Sequence, residues 1–237
     1  MPDPFDFVFF DAGGTLLGTN TDHEHWYEQF FVDACAAHGR RVTPVQVGES
    51  LAAAGRAFRS GPRCSTPDQV FAFWEHMYAR VFRDLLPGAD PQALAHHYID
   101  RFEAGEFVQP FPDAPACLRL LRARGVRMAV VSNFGTYLSR FLSRTGISEF
   151  LEFEVVSAAE GCEKPHPAIY ERAIARSGAD PARIMFVGDH PVEDYDAAAR
   201  EGMFPVLVDR HDRHASRNGI RRVKSLAEIE RFLDGDR

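Results

Sequence analysis

The stretch that decides the fold is residues 7–15, FVFFDAGGT. Its four consecutive apolar residues, at positions 7–10, predict a short strand that is buried on both faces. The glycine pair at 13–14 ends the apolar run and predicts a tight turn. Asp11 therefore stands at the carboxyl end of a buried strand, which is the edge where open α/β sheets bind their ligands.

Four later apolar runs have the same form, and they predict strands at residues 127–131, 153–156, 184–187 and 205–208. Helical patterns separate these strands, at residues 115–124, 136–145, 167–177, 192–201 and 225–233. Strands that alternate with helices are typical of parallel sheets covered on both faces. The sequence therefore predicts an α/β fold with a doubly wound, Rossmann-like parallel sheet.

Between the first two strands the pattern changes to helices alone. Thr66-Pro67 supply an N-cap and a first-turn proline, and Gln69 fits a capping box. Apolar side chains then recur at helical spacing, namely Val70, Trp74, Met77, Val81 and Leu85, with Phe71, Tyr78 and Phe82 beside them. An earlier helix repeats Trp26, Phe30 and Ala34, with Tyr27 and Phe31 beside them. We predict that these aromatic stripes form the core of a helical insert rather than a hydrophobic ligand pocket.

The position of this insert divides the chain. Because the insert follows the first strand, it is expected to lie over the carboxyl edge of the sheet, where ligands bind. We predict a core domain made of residues 1–17 and 109–237, and an all-helical cap domain made of residues 18–108.

Composition excludes several classes of function. The chain has 237 residues, of which 45% are hydrophobic, enough for a core domain with an insertion. Its net charge of −7 argues against nucleic-acid and anionic-membrane partners. The four cysteines are scattered without a CxxC pair, which predicts free thiols in a reducing compartment. With no signal-peptide pattern or apolar span, a cytoplasmic protein is expected. The sequence does not indicate an oligomeric state.

Polar side chains follow the predicted strands. Ser132-Asn133 follow the second strand, and Asp189 follows the fourth. Lys164, one of only two lysines in the chain, follows the third strand by a loop. A compact ammonium suits a place among carboxylates and a phosphate better than a flat guanidinium does. Together with Asp11, these residues predict a phosphoryl-transfer site at one edge of the sheet.

The chain resembles the haloacid dehalogenase superfamily, in the subgroup whose helical cap follows the first motif. The resemblance rests on FDAGGTL at 10–16, VVSNF at 130–134, EKPHP at 163–167, and VGD at 187–189 with Asp194. It spans the whole chain, and four motifs in this order are highly specific. The resemblance implies a capped α/β hydrolase, most often a phosphatase of a small phosphorylated metabolite.

The resemblance also implies a nucleophile and a metal. Asp11 would attack phosphorus and form an aspartyl-phosphate. Mg²⁺ would be held by the Asp11 carboxylate, the backbone carbonyl of Gly13 and Asp189. Asp194 would reach the ion through a water molecule. An acid at the start of a helix also favours the helix dipole, and both roles of Asp194 can hold together.

Further residues are implied to bind the phosphoryl group. Ser132 would donate its hydroxyl to a phosphoryl oxygen, with Asn133 beside it. Lys164 would hold the nucleophile and the phosphate together against their repulsion. The glycine turn would direct backbone N–H groups of Gly14 and Thr15 toward the phosphate.

Position 13 departs from the phosphatase pattern. Phosphatases of this family place a second aspartate there, which protonates the leaving oxygen and later activates water. Such groups contribute roughly 10²- to 10⁴-fold, and Gly13 has no side chain. The Schiff-base lysine of phosphonoacetaldehyde hydrolases is excluded, since residues 1–163 contain no lysine. The metal-free dehalogenases place an aromatic residue there, and the retained acid pair disfavours that activity.

Three interpretations stay open. Another group could replace the acid, namely His23, Glu24 or His25, although each is typical of a solvent-facing helix start. The enzyme could work without an acid, which predicts a preference for acyl or aryl phosphates over sugar phosphates and a burst of product. The protein could instead bind phosphate and metal with negligible turnover. A second anionic group on the substrate could meet Arg56, Arg59 or Arg63.

Overall fold

The structure of the chain, a computed structural model, describes residues 4–19, 25–57 and 63–235. Its strands are β1 (Phe7–Phe10), β2 (Leu17–Gly18), β3 (Gln109–Pro110), β4 (Arg127–Ser132), β5 (Phe153–Val156), β6 (Ile184–Gly188), β7 (Phe204–Val208) and β8 (Arg222–Val223). Its helices are α1 (Trp26–Ala37), α2 (Pro44–Ala57), α3 (Pro67–Leu85), α4 (Pro91–Glu103), α5 (Ala114–Ala123), α6 (Leu138–Arg144), α7 (Ser157–Glu160), α8 (Pro167–Ser177), α9 (Ala197–Arg200) and α10 (Glu230–Leu233). No helix in the described ranges combines the length and the apolar character needed to cross a bilayer.

Six strands form one parallel sheet in the order β5-β4-β1-β6-β7-β8. The chain winds outward from β1 to β5, returns to the other side of β1, and winds outward again to β8. The predicted doubly wound sheet is therefore confirmed. Its direction of winding reverses at β1, so the carboxyl ends of β4, β1 and β6 flank the crevice where such folds bind ligands.

Both faces of the sheet are covered. Val8 and Phe10 pack in an apolar cluster with α5, α6 and α10, whereas Phe7 and Phe9 pack against α8 and α9. All four side chains of β1 are fully buried. The run of consecutive apolar residues thus reflects a central strand with helices on each side.

The helices α1 to α4 share an apolar cluster of their own, which includes Phe30, Phe31, Tyr78, Phe82 and Tyr98. Thr66 caps α3, because its side chain accepts a hydrogen bond from the backbone N–H of Gln69 at 3.2 Å. The antiparallel pair β2 and β3 joins this helical segment to the sheet. The predicted boundary 17/18 falls within β2, and the boundary 108/109 lies directly before β3. The division into core and cap stays a prediction.

The structure differs from the sequence-based expectations in several places. Helix α2 was not predicted; its small residues and two glycines give a weak apolar stripe in which Val47 and Ala54 are buried. The helix predicted at 192–201 begins as a π-helical turn, Pro191–Asp196, and continues as α9. The arginine-rich stretch at 210–222, for which no strand or helix was predicted, ends in β8.

Arginines of this stretch form ion pairs with aspartates elsewhere in the chain. Arg210 pairs with Asp113 at 2.7 Å, and Arg222 pairs with Asp209 at 2.9 Å. Arg210 also donates to the backbone carbonyl of Thr15 at 2.9 Å. These arginines therefore tie the C-terminal part of the chain to the sheet and to the loop after β1.

Candidate active site

The predicted chemistry-bearing residues come together at the carboxyl edge of three adjacent strands. Asp11 directly follows β1, Ser132 ends β4 and Asp189 directly follows β6. These three residues line one cleft of about 240 Å³ together with Lys164 and Asp194. Because the three strands are parallel neighbours, their carboxyl ends meet without any special loop geometry.

Lys164 lies at the centre of the site. Its Nζ is 2.7 Å from Asp11 Oδ1 and 2.6 Å from Asp194 Oδ1, and its side chain is 2% exposed. Burial alone would lower the pKa of Lys164, but the two carboxylates raise it above its ordinary value. The lysine is therefore a buried, charged ammonium between two acids and not a surface residue.

Asp11 has its two carboxylate oxygens in different environments. The Ser132 hydroxyl donates to Oδ1 at 3.0 Å, and Lys164 donates to the same oxygen. No described side chain donates a hydrogen bond to Oδ2. Burial raises the pKa of Asp11, the Lys164 ammonium opposes this, and Asp194 adds to it. One oxygen is thus held by two hydrogen bonds, and the other accepts none from a described side chain.

Three carboxylates converge in this cleft. Oxygens of Asp11, Asp189 and Asp194 all lie within 4.8 Å of one another. Lys164 contacts two of the three and leaves Asp189 without its direct contact. Burial raises the pKa of Asp189 well above its ordinary value, and the other two carboxylates raise it further. A set of hard oxygen donors with excess negative charge fits Mg²⁺, which prefers such ligands.

Asp194 reaches the cleft because of local backbone features. Its Oδ2 accepts a hydrogen bond from the backbone N–H of His190 at 2.8 Å. A Cβ added at Gly188 would lie 2.3 Å from Asp194 Cγ, so only glycine leaves room for this side chain. His190 also begins the π-helical turn by accepting from the Glu193 N–H at 3.0 Å.

The loop after β1 closes on itself around Gly13. The N–H of Leu17 donates to the Ala12 carbonyl at 2.8 Å, and the N–H of Gly14 donates to the Leu17 carbonyl at 2.8 Å. Within the described residues, this leaves the N–H and the carbonyl of Gly13 without backbone partners. The predicted use of the Gly13 carbonyl as a metal ligand is compatible with this geometry.

Gly14 has a different role from the one predicted. Its N–H is engaged by Leu17 and is therefore not available to a phosphate. Gly14 has a φ of +79°, and an added Cβ would lie 2.3 Å from Asp189 Oδ2. The glycine is needed for its backbone conformation and for the close approach of that carboxylate.

Thr15 is not brought to the cleft. Its side chain is fully buried, and its Oγ1 has no hydrogen-bond partner among the residues that the structure describes. The cleft lining does not include it. The predicted contact used the backbone N–H of Thr15 and not its side chain, and it stays a prediction.

Asn133 lines the cleft, but its amide is already engaged. Its Nδ2 donates to the Lys164 carbonyl at 2.8 Å, and its Oδ1 accepts from the Lys164 N–H at 2.7 Å. The same Nδ2 donates to Glu193 Oε2 at 3.1 Å. Asn133 thus clamps the backbone of Lys164, a function that the sequence did not reveal. Its predicted contact with phosphate stays a prediction.

The walls of the cleft were missed in the sequence. They contain Trp26 and Tyr27 from α1, Trp74 from α3, Phe102 from α4, and Phe134 after β4. The prediction that the aromatic stripes serve only as insert core is wrong for the first three, which also line the cleft. Helical periodicity shows which side chains share a face, but not whether a neighbouring domain leaves space beside that face.

Of the three proposed substitutes for the missing acid, the structure describes only one. His23 and Glu24 lie outside the described residues. His25 is described, and its Nδ1 is 3.9 Å from Glu28 Oε2, but it does not line the cleft. The lining does include His190, which sequence reasoning did not consider.

Of the three arginines considered for a second anion, Arg59 lies outside the described residues and Arg56 is exposed. Arg63 is committed to acidic side chains of the core. Its guanidinium is 3.3 Å from Glu193, and its backbone N–H donates to Glu163 Oε2 at 2.9 Å. The N–H of Cys64 donates to the same Glu163 oxygen. These contacts join the helical segment to the core beside the cleft.

The chain thus combines a doubly wound α/β sheet with an acidic, lysine-centred cleft at the carboxyl edge of that sheet. A profile of the haloacid dehalogenase-like hydrolases matches residues 5–202. The human haloacid dehalogenase-like hydrolase domain-containing protein 3 is 36% identical over 204 residues, which cover 84% of this chain and 79% of the human protein. The chain therefore belongs to the haloacid dehalogenase-like hydrolases, as its motifs predicted.

Other comparisons cover less or show the fold alone. A glyceraldehyde 3-phosphate phosphatase of Methanothermobacter thermautotrophicus is 35% identical over 115 residues, 48% of this chain and 50% of that protein. The alignments with the mouse and zebrafish counterparts of the human protein span about half of the length of those relatives. The structure of a hydrolase of this superfamily from Bacillus subtilis, bound to magnesium, superposes with a TM-score of 0.76 at 17% identity and covers 97% of this chain and 99% of that one.

Proposed function

We propose that this protein is a Mg²⁺-dependent phosphatase that hydrolyses a small phosphorylated metabolite through an aspartyl-phosphate on Asp11. The observation that carries the proposal is the buried ammonium of Lys164, held between Asp11 and Asp194 beside the third carboxylate of Asp189. Family membership and the similarity to a phosphatase support the reaction class. The unpaired cysteines support a cytoplasmic location.

The acidic cluster would hold the metal. Asp11, Asp189 and the carbonyl of Gly13 would bind it directly, and Asp194 would bind it through water. When bound there, Mg²⁺ would offset the repulsion between a phosphate dianion and the surrounding carboxylates. Lys164 contributes a single positive charge that two of the acids already share.

The first half of the reaction uses the free oxygen of Asp11. Oδ2 forms a bond to phosphorus while the ester P–O bond breaks, and the leaving group departs with the electron pair. Lys164 and Ser132 fix Oδ1 during the attack, so the carboxylate does not have to be oriented at the moment of reaction.

The second half regenerates Asp11. A water oxygen bonds to phosphorus and the bond to Asp11 breaks, which releases inorganic phosphate. One proton of the water ends on the departed alcohol or phenol, and the other stays on the phosphate. The sum is one ester and one water converted to one alcohol or phenol and one phosphate.

Gly13 determines which esters react well. Because no side chain at this position can protonate the leaving oxygen, turnover favours leaving groups that are stable as anions. We therefore expect acyl and aryl phosphates to react faster than sugar phosphates. Attack by water also lacks a base at position 13, so the aspartyl-phosphate should accumulate and give a burst of the first product.

The helical segment of residues 18–108 is assigned as a cap. Its helices α1, α3 and α4 supply Trp26, Tyr27, Trp74 and Phe102 to the cleft, while the sheet supplies the acids and the lysine. The substrate would therefore be enclosed between chemistry on the core and contacts on the cap.

Phosphate release from a panel of phosphate monoesters, with Mg²⁺ and with a chelator, tests the function. The Asp11→Asn variant keeps the shape of the side chain and should lose at least about 10³-fold in rate. Asp6→Asn is the matched control, since Asp6 stands just before β1 and pairs with Arg183 at 2.7 Å away from the cleft. Turnover by the Asp11→Asn variant, or turnover that persists in the chelator, would contradict the proposal.

The alternative function is a protein that binds phosphate and metal without useful turnover. The missing side chain at Gly13 is the observation that favours it. In that case inorganic phosphate should bind in the presence of Mg²⁺, while no ester in the panel releases phosphate and rapid quenching shows no burst.

A further inference from the structure

The cleft has two unlike halves. Its floor carries the acids and the lysine, whereas its walls are mostly apolar. The wall residues are Leu17, Trp26, Tyr27, Trp74, Phe102, Val108 and Phe134. A phosphate ester on this floor would therefore place its leaving group among aromatic rings.

These rings form two neighbouring groups. The centroids of Trp26 and Tyr27 are 5.6 Å apart, and those of Tyr27 and Trp74 are 6.2 Å apart. Phe102 and Phe134 lie 6.4 Å apart with an interplanar angle of 27°. Rings at such distances offer faces and edges to another aromatic ring, which gains more from them than from burial alone.

The aromatic wall reaches the reacting centre. A Cβ placed at Gly13 would meet only Phe134 Cε2, at 3.8 Å, an ordinary contact distance. The space that an acidic side chain would fill two residues after the nucleophile is therefore open and bordered by a ring. A leaving group can occupy that space in direct contact with Phe134.

The charges of the cleft disfavour a second anionic group. Four carboxylates line it, those of Asp11, Asp189, Glu193 and Asp194, and Lys164 is the one Lys or Arg in the lining formed by the described residues. Lys164 is already shared by two carboxylates. A carboxylate or second phosphate on the leaving group would thus meet acids rather than cations, at a cost of like-charge repulsion.

The apolar walls also disfavour a sugar. Hydroxyl groups that leave water without gaining hydrogen bonds lose free energy, and aromatic walls supply few such bonds. A volume of about 240 Å³ suits a ring and a phosphate, because a cavity of roughly 150 Å³ is enough to bind benzene.

We propose that the substrate is an aryl phosphate monoester whose flat, uncharged ring lies between Phe134 and the indoles of Trp26 and Trp74. This inference rests on the proposed phosphatase function and specifies its substrate class. An aryloxide leaves without protonation more readily than an alkoxide, so the open space at Gly13 and the missing acid are consistent with the same substrate.

Binding of phosphonates separates this inference from turnover, because their P–C bond is not hydrolysed by this reaction. Both tryptophans of the chain line the cleft, so intrinsic fluorescence reports binding directly. With Mg²⁺ present, phenylphosphonate should bind at least about 10-fold more tightly than methylphosphonate. Adding a carboxylate, in 4-carboxyphenylphosphonate, should weaken binding by about 10-fold or more.

A variant of a cleft residue and a matched control variant test where the phenyl ring of the ligand lies. Trp74→Ala should raise the Kd of phenylphosphonate by about 2- to 12-fold and leave that of methylphosphonate unchanged, measured by calorimetry. Phe71→Ala is the control, since Phe71 lies on the same helix, is 40% exposed and does not line the cleft. Equal loss in both variants would overturn the placement of the ring.

The experiments distinguish a failure of the proposed substrate class from a failure of the proposed phosphatase function. Equal affinity for phenylphosphonate and methylphosphonate overturns the aryl inference, even if phosphate release still depends on Asp11 and Mg²⁺. Tight, ring-dependent binding without any phosphate release supports the aryl site and refutes the phosphatase. If Trp74→Ala fails to fold, the comparison of ligands on the natural chain still decides.

Discussion

Replacing Gly13 with aspartate tests the chemistry of the site most directly. The position accepts a side chain, because an added Cβ meets only Phe134 Cε2 at 3.8 Å and the backbone is not in the left-handed region. Gly14, the next residue, is different, since its φ is +79° and a Cβ would collide with Asp189. The Gly13→Asp change therefore introduces an acid two residues after the nucleophile with little strain.

The expected gain depends on the leaving group. A positioned general acid contributes about 10²- to 10⁴-fold, equivalent to about 3–5 kcal/mol of transition-state stabilisation. An alkyl phosphate needs the proton and should gain this factor in kcat/KM. An aryl phosphate needs it little, and its ring would compete with the new side chain for the space beside Phe134, so its KM should rise.

The assay is kcat/KM for glycerol phosphate and phenyl phosphate in the presence of Mg²⁺. Gly13→Asn is the matched control, because asparagine has the size of aspartate but is not an acid. The ratio of alkyl to aryl activity should rise at least about 10²-fold in Gly13→Asp and not in Gly13→Asn. Equal ratios in the two variants would refute the argument that the missing acid limits turnover. If only the Gly13→Asp variant hydrolyses the alkyl phosphate, the natural chain is specialised for leaving groups that are stable as anions, or for binding.

Three further predictions concern contacts around the cleft. Lys164→Met should lower the free energy of unfolding by about 3–5 kcal/mol, because two buried carboxylates lose their cation. Unfolding in denaturant measures this loss, and a loss below about 1 kcal/mol would contradict the prediction. Burial raises the pKa of Asp113, but Arg210 and further hydrogen bonds lower it overall to below 3.8. Its carboxylate thus stabilises the fold above that pH and ceases to do so as the pH falls through its folded-state pKa. Asp113→Asn should therefore cost about 1–3 kcal/mol at pH 7 and less on acidification, whereas a deficit constant with pH is the opposing result. Glu163→Gln should speed amide hydrogen exchange at Cys64 by about 10-fold, because it weakens a charge-assisted hydrogen bond, and unchanged exchange would show that the contact does not hold the segment.

The sheet and its acidic edge could be predicted because they follow from local patterns. Each apolar run gave a strand within about a residue of the observed bounds, and a side chain that follows such a run must lie at the carboxyl edge. Asp11, Ser132 and Asp189 therefore met as expected. The position of Lys164 was harder to predict, since the short helix α7 and a turn separate it from β5. The scarcity of lysine in the chain was the useful signal.

Backbone hydrogen bonding gives two of the predicted site residues partners that the sequence did not reveal. A glycine pair predicts a turn, but not which N–H the turn consumes, and here the N–H of Gly14 closes the loop on Leu17. Asn133 was expected beside the phosphate because it neighbours Ser132. Its amide instead pairs with both backbone groups of Lys164, a contact between residues 31 positions apart that no local pattern encodes.

The aromatic walls of the cleft are another feature that local sequence patterns do not reveal, and they bear on the proposed function. Trp74 repeats with Met77 and Val81 at helical spacing, and those two are buried in the insert as the stripe predicts. Trp74 is only partly buried in the insert, where it packs against the apolar cluster of α1 to α4, and it also lines the cleft. One amphipathic face thus contributes side chains both to the interior of the insert and to the wall of the cleft. Which side chains border the cleft depends on how the insert packs against the core domain. Contacts such as those of Glu163 with Arg63 and Cys64 hold the insert on the core, and they therefore shape the cleft together with the residues that line it.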